Sequence, residues 1–175
     1  MQMDRTRRLN FLVGEDFYFL AYSIINALHA FSGSGEPGFK DHRKLAHLVQ
    51  LMSDQRLIGI LERHANRKIV NPVDHELLFS SFTRGELHKH EVFKLLIALQ
   101  KRGYVELGKA NRTGVFDVTL NRSKLPENFL ATEIFSEEQE SAVKLKRLVP
   151  RLGAMTQETF MERIYTSKGL QAWAA

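Results

Sequence analysis

The sequence predicts a mainly α fold with a small β-hairpin: a winged helix-turn-helix core flanked by N-terminal and C-terminal helices. Two observations predict it. Apolar residues recur at helical spacing along most of the chain. The stretch RGYVELGKANRTGVFDVTL, Arg102 to Leu120, reads as the end of a helix, a strand, a polar turn and a second strand. By pattern, the 175 residues divide into an N-terminal helical segment (1–40), a winged-helix domain (41–124) and a C-terminal helical extension (125–175).

The first element is a helix over Glu15 to Ala30, where Phe17, Leu20, Ala21, Ile24 and Leu28 recur at helical spacing. Phe19, Tyr22 and Ile25 add apolar surface on neighbouring faces, which predicts a central helix or a subunit interface. Ser32 to Phe39, SGSGEPGF, is a loop by composition. Its Gly33, Gly35 and Gly38 match G-x-G-x-x-G in form only. A phosphate cradle needs a strand before it and a helix after it; here a helix precedes, and Pro37 interrupts.

A second helix runs from Asp41, as N-cap, to Met52, with Leu45, Leu48, Val49 and Met52 on one face. Ser53 or Asp54 caps a third, with Leu57, Ile58, Ile60 and Leu61 apolar. Asn71 caps a fourth, Pro72 takes its first position, and Gly85 ends it. Leu87 to Arg102 is a fifth, stopped by Gly103, and stands where a winged helix has its recognition helix. Tyr104–Leu107 and Val115–Leu120 then pair around the polar tip Gly108–Gly114. After Pro126, Ser136 caps EEQESAVKLKRLV, whose acidic start and basic end suit the helix dipole, and Pro150 stops it. Thr156 caps a last helix with Phe160, Met161 and Ile164 apolar. SKGLQAWAA follows as a fraying tail that holds an isolated Trp173.

Composition narrows the function. The absence of cysteine excludes disulfides, thiolate zinc sites and cysteine nucleophiles in this chain. A net charge of +5 tilts toward an acidic partner, nucleic acid or protein, but the charge is spread along the chain without a basic block. No apolar run reaches the roughly 18–20 residues of a membrane helix, and no signal core follows the basic start, so a cytoplasmic protein is expected.

Catalytic chemistry finds no support. His88 and His90 sit two apart on a helix, about 200 degrees around, and cannot easily share an ion. His42 and His47 are also poorly spaced, and the histidines are expected to be solvated or capping. The carboxylate pairs Glu15-Asp16 and Glu137-Glu138 stand at helix starts, where they serve the dipole. Neither a Walker lysine nor a nucleophile elbow is present. The expectation is a protein that is not an enzyme and has no metal or cofactor.

Two binding roles remain. Lys94, Lys101, Lys109, Arg112 and Arg122 are candidate nucleic-acid contacts on the recognition helix and around the wing. Yet Val92, Phe93, Leu95, Leu96, Ile97 and Leu99 leave that helix few outward residues able to read base edges. Surplus apolar surface favours a permanent protein partner. Phe11, Phe17, Tyr18 and Tyr22 are candidate aromatic anchors for it, with Phe129, Phe135, Leu148, Tyr165 and Trp173 further on.

The N-terminal RLNFLVGEDFYFLAYSIINAL, the LIALQKRGYVEL of the winged helix and the later LPENFLATEIFSEEQESAVKLKRLVPRL resemble one family across most of the chain. It is the small middle component of bacterial three-component ABC-ATPase systems, which include Lamassu-type defence. The resemblance implies a non-catalytic adaptor bridging an SMC-like ABC ATPase and an effector, such as a nuclease, in anti-phage or anti-plasmid defence. It supplies no active-site residues. The alternative from the residues alone is a winged-helix DNA-binding transcription regulator.

Overall fold

The computed structural model describes residues 3–32 and 38–171, with side chains from Phe17 onward in the first stretch. The chain is mainly helical with one two-stranded antiparallel hairpin. Six α-helices run Met3–Phe31 (α1), Lys44–Met52 (α2), Gln55–Arg63 (α3), Pro72–Lys101 (α4), Ser136–Leu148 (α5) and Gln157–Ile164 (α6). Strands Val105–Lys109 (β1) and Phe116–Leu120 (β2) pair with Val105 opposite Leu120 and Lys109 opposite Phe116. Gly33 and Gly35 of the glycine loop lie outside the described residues.

One core draws on all three segments of the sequence. It joins Ile24 and Leu28 of α1, Leu45 and Leu48 of α2, Ile58 of α3, Leu78 and Leu96 of α4, Val118 of β2, Leu145 of α5 and Phe160 of α6. Helix α1 packs on α5, α2, β2 and α4. Its stretch from Ser23 to Leu28 is buried throughout, as expected of a helix apolar on several faces. It begins at Met3 rather than Glu15, because no proline interrupts the preceding residues.

Several local signals act as read. Asp54 and Asn71 accept the N–H groups of Arg56 and Val73, and Pro72 opens α4. Thr156 caps α6 through the Thr159 N–H. Others do not. Gly85 does not end a helix: α4 runs unbroken to Lys101, and the turn expected between two helices is absent. The glycine is buried against His47, and a Cβ there would lie 2.3 Å from the His47 Nδ1. Ser136 is the first residue of α5 and makes no capping bond.

Asp41 does not cap α2. It holds a positive φ of 62°, and its carboxylate accepts the Gln157 N–H at the start of α6 and the Arg43 guanidinium. Burial would raise its pKa, but those two donors hold it below the usual carboxylate range.

The histidines are not all solvated. His42, His47 and His64 are buried. His47 packs among Phe82, Phe160 and Tyr165. Its Nε2 meets Glu86 at 2.8 Å, and the Tyr165 hydroxyl stands 3.4 Å from its Nδ1. Burial lowers the His47 pKa and keeps the ring neutral. The hydrogen bond from His47, opposed by burial and aided by Lys89, draws Glu86 down to about 2. A neutral ring with its proton on Nε2 satisfies both neighbours: Nε2–H donates to Glu86, and Nδ1 accepts from Tyr165.

The tail does not fray over its described length. Thr166–Lys168 forms a 3-10 turn, and Leu170 is buried. The Lys168 Nζ donates to the carbonyls of His64 and Ala65, both at 2.6 Å, and so closes the C-terminal end of α3. Lys168→Met is expected to cost about 2 kcal/mol. Hydrogen exchange checks the site: amide protection should fall at Ile69, which donates to the Lys168 carbonyl, more than at the centre of α4.

Candidate partner interface

Residues 17–28 of α1 contain no charged side chain. On the half that precedes the buried stretch, Phe17 is 48% exposed, Tyr18 61%, Phe19 47% and Tyr22 39%. The turns Phe129–Ala131 and Glu133–Phe135 lie beneath Phe19 and Tyr22. Tyr22 meets Phe129 and Phe135 with ring centroids 5.0 and 5.5 Å apart, and Phe19 meets Phe135 at 6.1 Å. Ile134, 77% exposed, extends this aromatic shelf outward. Single exposed apolar residues are ordinary; a contiguous group of aromatic rings marks a binding surface.

The local sequence explains the shelf. Gln139 donates from Nε2 to the Leu130 carbonyl at 2.6 Å, which holds the Phe129–Ala131 turn against α5. Ser23 donates to the buried Glu138 carboxylate at 3.0 Å, which fixes α1 on α5 beneath the rings. Burial raises the Glu138 pKa, and the Ser23 hydroxyl opposes that rise.

Of the expected anchors, the structure brings together Tyr22, Phe129 and Phe135, although Phe135 itself is largely covered, while Phe17 and Tyr18 pair with each other at 5.9 Å. Leu148 is half-buried against the core. Tyr165 is a correction: it is fully buried beside His47 and belongs to the interior. Burial raises the pKa of its hydroxyl. The Phe11 side chain and Trp173 lie outside the described residues. Phe19 and Ile134 were missed as anchors; the charge-free run from Phe17 to Leu28 was the available signal for Phe19.

The expected nucleic-acid contacts are all exposed but do not form one group. Lys94 and Lys101 lie seven apart on α4, on one stripe. Lys109 and Arg112 line a cleft of about 470 Å³ between the hairpin tip and α6, together with Lys40 and the acidic Asp41, Asp117 and Glu158. Arg112 pairs with Glu158, which also meets Arg43 at 3.2 Å, so the hairpin tip is tied to the first turn of α6. Arg122 reaches toward the His29 carbonyl at the end of α1.

The apolar surface of α4 from Val92 to Leu99 is largely spent inside the molecule, while Val73, Phe79 and Leu87 of the same helix stay exposed. Val92, Leu95, Leu96 and Leu99 are buried, and Phe93 stacks on Phe116 beside His42. Among the described residues, no group of three or more histidines or acidic residues is placed to hold a metal ion, and no helix is long and apolar enough to cross a membrane. Comparison with family models, with curated proteins and with solved structures finds no match.

Proposed function

We propose that this protein is a non-catalytic adaptor subunit that docks through the aromatic shelf of α1 onto a larger partner. The observation that carries the reading is the uncharged, half-exposed run Phe17, Tyr18, Phe19 and Tyr22, of which Phe19 and Tyr22 are seated on Phe129 and Phe135. Aromatic anchors of this kind dominate interface energetics. The resemblance to the middle components of three-component systems names the partner: an SMC-like ABC ATPase, with an effector held in the same complex.

The test is purification of the tagged chain from its native operon at high salt, beside a Tyr22→Ser/Phe129→Ser variant. The wild-type chain is expected to carry a large ATPase in fixed ratio. The variant is expected to lose it while keeping a cooperative thermal transition. Recovery of a lone dimer that shifts a promoter fragment overturns the reading.

The order α2, α3, α4 and hairpin supports a winged-helix architecture, with α4 as its third helix. A DNA-binding regulator is the second reading. It is favoured by Lys94, Lys101 and Lys109, which are exposed and make no ion pair among the described residues. Under that reading, Lys94→Glu/Lys101→Glu/Lys109→Glu weakens DNA binding and reduces its salt slope by about three. Equal slopes for both proteins remove it.

A further inference from the structure

One face of α4 is left uncovered by the described residues along nearly its whole length. The helix has 30 residues and is about 45 Å long. Its buried side carries Leu78, Phe82, Gly85, Leu96 and Leu99. On the opposite side Glu76, Ser80, Thr83, Leu87, His90 and Lys94 follow one another at alternating steps of four and three, which makes a single stripe. All of them except Ser80 are exposed, and Leu87, at the midpoint of the helix, is 72% exposed. Val73 and Phe79 add exposed apolar surface toward the N-terminal end.

The charges on and beside the stripe run in a self-complementary order. Glu76, Arg84, Glu91, Lys94 and Lys101 are exposed and make no ion pair among the described residues. The Arg56 guanidinium holds Asp54 below the usual carboxylate range, with a smaller pull from Arg84, so Asp54 already has its cation. A parallel pair of α4 helices would set Glu76 against Glu76 and Lys94 against Lys94. An antiparallel pair about a two-fold axis does the reverse. With Leu87 beside the axis, Leu87 meets its own copy, Arg84 stands opposite the partner's Glu91, and Glu76 stands opposite the partner's Lys101. Each ion pair then occurs twice, as a two-fold interface requires. A lone exposed leucine is ordinary. One at the centre of a stripe whose charges match their own reverse order fits an isologous contact.

We propose that this face of α4 binds a second copy of the chain, antiparallel, with Leu87 at the two-fold axis. None of the residues of the aromatic shelf lies on α4, so dimerisation and recovery of an ATPase are independent results. The pairing covers Lys94 and Lys101, and therefore competes with DNA for the same face.

Sedimentation velocity of the full chain, from micromolar to submillimolar concentration, is expected to show monomer passing into dimer. Arg84→Glu sets two like-charge pairs across the axis and should weaken the dimer about tenfold or more. Glu91→Arg should do the same. The double variant Arg84→Glu/Glu91→Arg restores opposite charges and should return the affinity to within about threefold of wild type. Both positions are exposed, so thermal unfolding of the monomer should stay as it is.

The chain has no cysteine, so Leu87→Cys carries its single thiol. A short bis-maleimide should join two such chains. Glu127→Cys, exposed in the turn before Phe129, should stay unjoined. A monomer at every concentration, a dimer that the single reversals leave unchanged, or a double variant as weak as the singles overturns the pairing. A dimer lost in Tyr22→Ser but not in Arg84→Glu places the contact on the shelf, and overturns it as well.

Discussion

Replacing Lys44 with methionine is expected to destabilise the protein by about 3 kcal/mol, far more than an ordinary lysine substitution. Lys44 is fully buried on α2. Its Nζ donates to the carbonyls of Leu152, Gly153 and Met155 at 2.7, 3.2 and 2.6 Å and lies 4.4 Å from the centre of the Phe39 ring. One cation therefore closes the turn between α5 and α6. Methionine fills the space but orphans the carbonyls of Leu152 and Met155, while that of Gly153 keeps the Lys40 N–H at 2.8 Å. Relief from burying a charge offsets part of that cost. Urea unfolding measures the balance, and a loss below about 1 kcal/mol would show that the carbonyls find other partners.

The same residue has a pH signature. Burial draws the Lys44 pKa from 10.5 down to about 7, against the pull of Asp41 and Asp117. The folded value lies below the unfolded one. Between about 7 and 10.5 the unfolded chain therefore holds the extra proton, and stability climbs with pH. Lys44→Met lacks this contribution. The stability gap between wild type and variant is expected to widen from pH 7 to pH 9; a constant or narrowing gap contradicts it.

Gly85→Ala is the second large effect, and its sign opposes helix propensity. Alanine in the interior of a helix is favoured over glycine by about 1 kcal/mol. Here the added Cβ would meet His47 Nδ1 at 2.3 Å, Cε1 at 2.8 Å and Cγ at 2.9 Å. The ring has nowhere to go, because Glu86, Phe82 and Tyr165 hold it. The substitution is expected to cost about 2–3 kcal/mol net. Adding His47→Ser should remove the clash, so the Gly85→Ala penalty should fall sharply in that background. Equal penalties in both backgrounds would place the strain elsewhere.

These residues also mark what could be read from sequence. The caps at Asp54, Asn71 and Thr156 were legible because a cap and its N–H partner lie within a few residues of each other. The hairpin was legible because its alternation and polar tip are also local. Gly85 was not. Its role is set by His47, far away in sequence, and a glycine that ends a helix looks the same as one that admits a ring. Tyr165 was taken for an anchor for a similar reason: nothing near it reveals that Phe82, Phe160 and His47 surround it. The aromatic shelf was half legible. Aromatic residues in an uncharged run were visible, but their seating on Phe129 and Phe135 needed the fold.

The long reach of these contacts bears on how the chain is made. Lys44 needs the carbonyls of residues 152–155, Asp41 needs the Gln157 N–H, His47 needs Tyr165, and the end of α3 needs Lys168. Each early element therefore waits for residues 152–168 to leave the ribosome before its polar groups are satisfied. The N-terminal half cannot complete its interior before residues 152–168 are made, and its aromatic first helix stays uncovered until Phe129 and Phe135 emerge. A chain terminated just after Pro150 is left with an unmet Lys44 and with His47 stripped of Phe160 and Tyr165, and is a substrate for chaperones and proteases rather than a smaller version of the protein.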